Sequence, residues 1–396
     1  MEMASPSADR VLLLGPVQII RNGVSFDNPW ANEPGGDPFP VPAGRSIGRD
    51  NAIWPLAGSL FTADYNTANM HVSQWNLSIQ RQIKSDWLVS ATYLGNHTIH
   101  LWAVRDLNPA VFLGLGPCSL QGVNYGTCST TANTQQRRRL SLANPAIGQY
   151  FGSIAQVDAG SSASYNGLLL SVQRRVGRGV TLIGNYTWSH CISEPAQTDA
   201  LTTVSGYQAI PDNRRYDRGN CNRNNSDVRQ VFSSSAVIDT PTFSNRGLHA
   251  VASGWRISPI LKILTGDYLN ITSGQDIALT GVGYQRPNQI LANPYGDKSI
   301  NEYFNPAAFQ QTTPGTYGNT GANSVGGPGF WGLDAALSRT FQFHEAQKVE
   351  LRVEAFNLTN SFRMNDPVAA INSPLFGKVI TAKDPRIMQF ALKYVF

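Results

Sequence analysis

The chain has 396 residues, only 14% of them charged, and its net charge of +5 is scattered along the sequence. Mean hydropathy is -0.22 and no stretch approaches the roughly 18 consecutive apolar residues of a membrane helix, which excludes a helical membrane protein. The mild, dispersed charge also argues against nucleic acid as a partner, and the 36 Gly and 23 Pro favour many short strands joined by irregular loops.

The first 70 residues are the least regular part of the chain. Pro and Gly crowd residues 28–44, NPWANEPGGDPFPVPAG, and only residues 11–21 have the pattern of a possible strand. The opening MEMASPSADR lacks the basic and then apolar order of a signal peptide. For an exported protein this predicts that the sequence is the carboxy-terminal part of a longer chain. We therefore separate an irregular region, 1–70, from a regular region, 71–396.

From His71 onward the hydrophobic period is two. In HVSQWNLSIQRQI the apolar residues Trp75, Leu77 and Ile79 alternate with neutral amide and hydroxyl side chains, which predicts a strand with one apolar face. A soluble sandwich usually carries Lys and Glu on its wet face instead. The turn 84–86 leads directly into WLVSATYLG, so the two segments predict a tight hairpin.

Segments of this kind follow one another along the chain. They are 71–83, 87–95, 165–176, 180–190, 228–239, 255–264, 332–341, 348–358 and 386–396. Short or medium turns join them at 84–86, 177–179, 240–254 and 342–347. Long connections separate them at 96–164, 191–227, 265–330 and 360–385. With the possible strand at 11–21, the pattern predicts about ten strands, a number compatible with part of a large barrel.

Short and long connections alternate strictly. A sandwich or propeller has no reason to sort loop lengths in this way, whereas outer-membrane barrels have short turns on the periplasmic side and long loops outside. Because every backbone polar group must be paired within lipid, strands with one apolar face meet the requirement for spanning a membrane. The sequence therefore predicts an all-β fold, an antiparallel transmembrane β-barrel that is present in part, with long extracellular loops and short periplasmic turns.

The four cysteines form two local pairs, Cys118 with Cys128 and Cys191 with Cys221. Each pair lies in a connection rich in Gly, Asn and Ser, without a CxxC spacing or a nearby set of histidines. This argues against zinc and predicts loop disulfides formed in an oxidising compartment. Four unpaired thiols are the alternative.

No residue pattern indicates catalysis, a cofactor or a metal site. His97 and His100 are three apart, but an extended stretch points them to opposite faces. The run GSSASYNG lacks the GxSxG elbow of a serine hydrolase. We expect a protein that is not an enzyme, with no catalytic residues, cofactors or metal ligands.

Two sets of surface residues are candidates for contact with the membrane. Arg137, Arg138 and Arg139 lie on a long connection, where guanidinium groups match phosphate oxygens and could contact lipopolysaccharide; a solvated loop is the alternative. Amphipathic rings favour the two membrane interfaces. The interface candidates are Trp75, Trp87, Tyr93, Tyr186, Trp188 and Trp255, together with Tyr394 and Phe396.

Several stretches resemble a known family. The segments QWNLSIQRQI, NGLLLSVQRRVGRGVTLIGNYTWSHCI, YFNPAAFQQTTPGTYGNTG, VELRVEAFNLTN and the terminal QFALKYVF resemble the carboxy-terminal barrel half of Oar-like TonB-dependent transporters, which begin with a carboxypeptidase-regulatory-like domain. The resemblance runs from about residue 71 to residue 396, and FNPAAF and AFNLTN are its most specific parts.

The resemblance implies a receptor in a Gram-negative cell outer membrane that binds and takes up an unidentified substrate. Its partners would be outer-membrane lipid, the barrel-assembly machinery and, through an amino-terminal part upstream of this region, the TonB system. Phe390, Tyr394 and Phe396 would form the assembly signal. Two other interpretations stay open: a small self-closing outer-membrane porin or surface adhesin, and a secreted β-rich glycan-binding module.

Overall fold

The computed structural model of the protein describes residues 13–14, 56–176, 179–194, 208–221, 227–342 and 347–396. The strands, in chain order, are β1 (Leu13–Leu14), β2 (Gly58–Ala63), β3 (His71–Ile83), β4 (Trp87–Asp106), β5 (Cys118–Leu120), β6 (Val123–Tyr125), β7 (Phe151–Val176), β8 (Val180–Glu194), β9 (Gly219–Asn220), β10 (Gln230–Asp239), β11 (Trp255–Leu264), β12 (Tyr268–Leu269), β13 (Asn288–Gln289), β14 (Phe309–Gln310), β15 (Val325–Gly326), β16 (Phe330–Gln342), β17 (Lys348–Phe356) and β18 (Ile387–Val395). Helices are short: α1 (Arg139–Ala143), α2 (Pro145–Gly148), α3 (Arg246–Ala252) and the 3-10 turns Arg214–Asp217 and Pro306–Ala308. Within the described ranges, no helix combines the length and the apolar character needed to cross a membrane.

Nine long strands form one continuous antiparallel sheet. Each is paired with the next in the order β3, β4, β7, β8, β10, β11, β16, β17 and β18. The nine predicted strand segments are therefore confirmed, because a period of two in side-chain polarity is a local property of the sequence. Among the described strands, β3 and β18 each have a single neighbour and form the two edges of this sheet.

Two strands extend more than ten residues further than predicted. β4 continues to Asp106 and β7 begins at Phe151, so the connection between them is 107–150 rather than 96–164. The two strands pair throughout, with register shifts on either side of Leu101. Next to these shifts His100 has a left-handed φ of 57°. Such a bulge interrupts the alternation that identifies a strand in a sequence.

β2 lies in the region that the sequence predicted to be irregular. It pairs in parallel with the first part of β7, from Gly58 beside Phe151 to Ala63 beside Val157. β8 pairs with β7 only from Ser162 onward, so β2 occupies an edge of β7 that β8 leaves free. Of the possible strand at 11–21, the structure describes only β1, which pairs with β2; the rest lies outside the described residues.

The sheet has one apolar and one polar face. An apolar row of register partners crosses five strands and consists of Ile79, Ala91, Leu170, Tyr186 and Phe232. The adjacent row on the other face is polar and consists of Gln80, Ser90, Ser171, Asn185 and Ser233. Lipid on one side and a water-filled lumen on the other favour this arrangement.

The main hydrophobic cluster lies in the long connections, whereas a smaller one, Val104, Ala155 and Val157 with Phe61, lies between β4, β7 and β2. The main cluster consists of Leu269, Ile271, Tyr303, Phe304, Ala308, Phe309, Val325 and Phe376. All of these residues belong to the connections 265–329 and 357–386. The connections 107–150 and 195–229 leave the sheet at the same end, whereas the short turns are at the opposite end. The two ends of the molecule are therefore built differently.

Replacing Leu170 on the apolar face with Arg is expected to lower the free energy of unfolding in lipid bilayers by about 2 to 4 kcal/mol, because the charge would face hydrocarbon. The adjacent substitution Ser171→Arg places the same charge on the polar face and is expected to cost less than about 1 kcal/mol. Urea unfolding in bilayers, followed by tryptophan fluorescence, measures both. If Leu170→Arg and Ser171→Arg lowered the free energy of unfolding equally, the two faces of the sheet would have the same surroundings.

Candidate functional site

Buried arginine–carboxylate pairs connect the long connections to the sheet. Asp106, at the end of β4, accepts hydrogen bonds from the backbone N–H groups of Asn108 (2.8 Å) and Ile154 (3.0 Å). Its other oxygen lies 3.4 Å from a guanidinium nitrogen of Arg138. Because charged hydrogen bonds are stronger than neutral ones, this carboxylate fixes the start of the connection 107–150.

The most buried pair joins two long connections. Arg286 in 265–329 lies 2.7 Å from Asp217 in 195–229, with side-chain exposures of 2% and 9%. The guanidinium also donates to the carbonyl of Thr320 (2.9 Å) and stacks 3.9 Å from the ring centroid of Tyr216. Burial raises the pKa of Asp217, and Arg286 acts in the opposite direction.

Arg137 is a structural residue. It is fully buried, and its Nη atoms donate to the carbonyls of Val111, Leu279 and Thr130, each at 2.7 Å. Its Nε donates to the side-chain oxygen of Asn133 at 2.9 Å. The predicted lipopolysaccharide contact is therefore wrong for Arg137, because its donors are used inside the protein.

The other two arginines of the triplet are also engaged. Arg138 is buried, pairs with Asp106 and donates to the carbonyl of Asn108 at 2.6 Å, so the predicted contact is wrong for this residue as well. Arg139 is partly exposed and forms an ion pair with Asp212. The sequence of three arginines suggested a surface patch, but two of the three side chains are buried and bond to other parts of the protein.

The cysteines form two disulfides. Cys118 pairs with Cys128 (Cα–Cα 5.2 Å) within the connection 107–150, and Cys191 at the end of β8 pairs with Cys221 (5.4 Å). Next to the second disulfide, Asn220 and Asn323 exchange side-chain to carbonyl hydrogen bonds of 2.7 and 2.8 Å. Together with the ion pairs above and the main hydrophobic cluster, these contacts join the described parts of the four long connections into one unit, called here the loop layer (107–150, 208–221, 227–229, 265–329 and 357–386).

A cavity of about 370 Å³ lies where the loop layer meets β11 and β16. Leu264 and Phe330, register partners on the lumen face, are among the residues that line it. Its charged groups are those of Asp267, Asp366 and Lys383. A cavity with apolar lining residues and a few charged groups is a suitable site for a small ligand, and we treat it as the candidate substrate site.

Burial and neighbouring charges shift the pKa values of both carboxyl groups of this cavity. The pKa of Asp267 is raised, first by burial and further by Asp366 and Asp227, while Lys383 lowers it. Burial also raises the pKa of Asp366, again opposed by Lys383. Within the described part of the chain, no group of three or more His, Cys, Asp or Glu residues is arranged to hold a metal ion.

A family model for the outer membrane beta barrel domain matches residues 15–389. The chain belongs to this family. It is therefore an outer-membrane β-barrel protein, and its all-β, mostly antiparallel sheet agrees with that assignment. No curated protein matches the chain.

This outer-membrane barrel protein is similar to several solved structures. The transporter YddB from Escherichia coli is 12% identical with a TM-score of 0.44, over 86% of this chain and 35% of that one. The siderophore receptor PirA from Acinetobacter baumannii is 12% identical with a TM-score of 0.39, over 85% and 33%. The FrpB iron transporter from Neisseria meningitidis is 11% identical with a TM-score of 0.37, over 85% and 33%. The chain spans about a third of the length of these proteins.

The predicted interface aromatics fall into two sets along the barrel wall. Trp87 and Trp255 lie beside short turns, as do Tyr394 and Phe396, whose rings stack at 5.8 Å. The remaining candidates, Trp75, Tyr93, Tyr186 and Trp188, lie nearer the loop layer. Phe390, Tyr394 and Phe396 are 75%, 53% and 90% exposed. Their roles at the interfaces and in assembly stay predictions.

Arg286→Met is expected to lower the free energy of unfolding by about 3 to 5 kcal/mol, because it leaves Asp217 buried without a counter-charge. The double variant with Asp217→Leu should recover much of this loss. Arg139→Met, which removes a partly exposed pair, should cost about 0 to 1 kcal/mol. Denaturant unfolding in micelles and protease digestion of the loop layer measure the effects. If Arg286→Met and Arg139→Met lowered the free energy of unfolding by similar amounts, the structural importance assigned to the buried pair would be contradicted.

The pKa of Asp267 is raised from 3.8 in the folded state, so the stability it contributes is complete below that value and is lost as the pH rises through the folded-state pKa. Asp267→Asn should therefore gain stability relative to the unmodified protein between about pH 3.5 and pH 7. Asp297 is the control, because a hydrogen bond from the Ser299 N–H lowers its pKa. Its contribution to stability should therefore be lost as the pH falls, the opposite of the change expected for Asp267. Urea unfolding midpoints across this pH range test both, and parallel profiles would refute the assignment.

Proposed function

We propose that this chain is the carboxy-terminal barrel section of an Oar-like TonB-dependent receptor, which binds and takes up an unidentified substrate. The observation that supports this most is the loop layer. Two of its connections, 265–329 and 357–386, share a hydrophobic cluster, each of the other two contains a disulfide-bonded cysteine, and buried ion pairs such as Arg286–Asp217 join connections to one another. A passive pore does not need a rigid surface of this kind, whereas a receptor that recognises a solute does.

The direction of the strands argues against closure of the nine long strands alone. These strands alternate in direction, so the first and the last, β3 and β18, run the same way. In bacterial outer-membrane barrels all neighbouring strands are antiparallel. Closure of this sheet in that manner requires an odd number of further strands between β18 and β3. A receptor barrel would supply them from an amino-terminal part, whereas the small self-closing porin or adhesin would need a tenth strand, such as the one predicted at 11–21.

The third interpretation, a secreted glycan-binding module, has less support. It requires a soluble protein, whereas the chain belongs to an outer-membrane barrel family. We assign no enzymatic step to the protein. In the proposed mechanism the loop layer and the cavity near Asp267 and Asp366 capture the solute, and the polar face with Ser171 and Ser233 forms part of the wall along which it passes. Energy would come from the TonB system through an amino-terminal part.

Assembly would proceed through the last strand. Phe390 and Tyr394 lie on the apolar face of β18, an edge strand without a second neighbour among the described residues. Together with Phe396 they present exposed rings that the barrel-assembly machinery could recognise. Outer-membrane lipid would then cover the apolar face.

The orientation is tested by epitope insertion in the natural host. An epitope placed between Asn301 and Glu302, both exposed in the loop layer, should bind antibody on intact cells. The same epitope at Ser85, in a short turn, should bind antibody only after the outer membrane is opened. The reverse result would show that the loop layer faces the periplasm.

Transport is tested by comparing which solutes disappear from the medium of cells with and without the gene in its natural context. At least one solute should remain in the medium of the deletion strain and of a strain that lacks TonB. Phe330→Ala, in the cavity, should slow its depletion, whereas Trp331→Ala, on the lipid face, should not. Uptake that depends on the gene but not on TonB would favour the passive porin.

A further inference from the structure

Two histidines meet at the loop-layer end of the sheet. His71 is the first residue of β3, and His100 lies in β4, next to Ile99, the register partner of His71. Their ring centroids are 6.0 Å apart, and the ring planes are tilted by 67°. In the sequence the nearest histidine to His100 is His97. The pairing with His71 becomes visible only when β3 and β4 are placed side by side.

A β-bulge brings the side chain of His100 to this pair. Residues directly opposite each other share a face of the sheet, so regular alternation would place His71 with Ile99 and His100 on the other face. The pairing of β4 with β7 shifts between Ile99 and Leu101, and His100 has a left-handed φ of 57°. Bulges re-aim side chains in this way. Residues other than glycine are uncommon in this conformation and cluster at functional sites.

Each ring has a nitrogen available to bind an ion. Nδ1 of His100 lies 3.3 Å from the carbonyl oxygen of Ala159 and must be the donor, because a carbonyl only accepts. In the neutral ring Nε2 then keeps its lone pair. Histidines that bind metals commonly donate their other N–H to a carbonyl, which fixes the ring. Among the described residues, the ring of His71 has no hydrogen-bond partner.

The separation of the rings suits one shared metal ion. With a metal to nitrogen distance of about 2.0 to 2.1 Å, the centroids of two imidazoles bound to the same ion lie roughly 5 to 6 Å apart. The observed 6.0 Å is at the upper end of this range, and His71 is exposed, so a small side-chain movement completes the geometry. Because no group of three or more potential ligands occurs in the described ranges, water fills the remaining coordination positions.

Dissolved ions reach this pair. β3 has 13 residues between His71 and the short turn 84–86, whereas a transmembrane strand needs about 9 to 11. His71 therefore lies beyond the hydrocarbon, on the side of the loop layer. Neither histidine lines the candidate substrate cavity, so this site is separate from the one assigned to the solute.

We propose that His71 and His100 bind a divalent late transition-metal ion, Cu²⁺ most tightly and Ni²⁺ or Zn²⁺ less tightly. Imidazole suits these ions, and Cu²⁺ has the highest affinity in the series. The ion ties the first residue of β3 to β4. Because β3 is an edge strand with a single neighbour among the described strands, this tie holds an end that is paired on one side only. The inference depends neither on the orientation of the protein nor on its substrate.

The test uses the full chain without a polyhistidine tag, purified in detergent, freed of metal with a chelator and titrated with Cu²⁺ at mildly alkaline pH, where imidazole is neutral. Calorimetry should show that His71→Gln and His100→Asn each weaken binding more than about tenfold, because even residues that only support a metal ligand contribute this much. Asn is chosen at position 100 because it tolerates a left-handed φ. The control His249→Gln, in exposed α3 at the opposite end, should bind as the unmodified protein does.

Electron paramagnetic resonance of the bound Cu²⁺ distinguishes two coordinating imidazoles from one by the nitrogen hyperfine splitting. The unmodified protein and His249→Gln should give the two-nitrogen pattern, and His71→Gln and His100→Asn the one-nitrogen pattern. A one-nitrogen pattern in the unmodified protein, or equal Cu²⁺ affinity in His71→Gln and His249→Gln, would overturn the proposal. Circular dichroism without metal checks the fold, and if His100→Asn loses strand signal, the exposed His71 decides the outcome.

Discussion

Pairing of backbone hydrogen-bonding groups within lipid is the constraint on which the rest of this structure depends. A strand that crosses hydrocarbon must have both edges paired, and the seven inner strands of the nine-stranded sheet meet this requirement. The side chains are then released from forming a core, because one face contacts lipid and the other contacts water. The protein consequently has its main hydrophobic cluster outside the sheet, around Phe304 and Ile271.

A core built from irregular connections needs hydrogen-bond partners that a sheet provides by itself. The carbonyl and N–H groups of buried loop backbone are removed from water, and each must find a partner within the protein. Arg137 supplies donors to three such carbonyls, and Asp106 accepts from two N–H groups. The long, branched donors of arginine reach several chain segments at once. Buried charge in the loop layer therefore replaces the ordered hydrogen-bond ladder of the sheet.

The sequence predicted those features that depend on neighbouring residues. Alternation of polarity located all nine long strands, and the sorting of connections by length located the loop layer. The features that the sequence did not predict depend on contacts between residues far apart in the chain. Arg137 reads as part of a solvated run because its partner Leu279 is 142 residues away. The cavity brings together Asp267 and Asp366, which have no common motif, and β2 is defined by its pairing with β7 and not by its own pattern.

The length of β7 affects how phages and antibodies could bind the cell surface. Its 26 residues extend about 85 Å at the usual rise of a strand, whereas a transmembrane strand needs only about 10 residues. With β4 and β2 beside it, and with the loop layer at the cell surface as proposed, the surplus would form a paired ribbon above the bilayer. A phage or an antibody would reach this ribbon before it reached the membrane. It would find a surface of fixed shape, stiffened by pairing on both sides, to which a rigid binding partner could be matched.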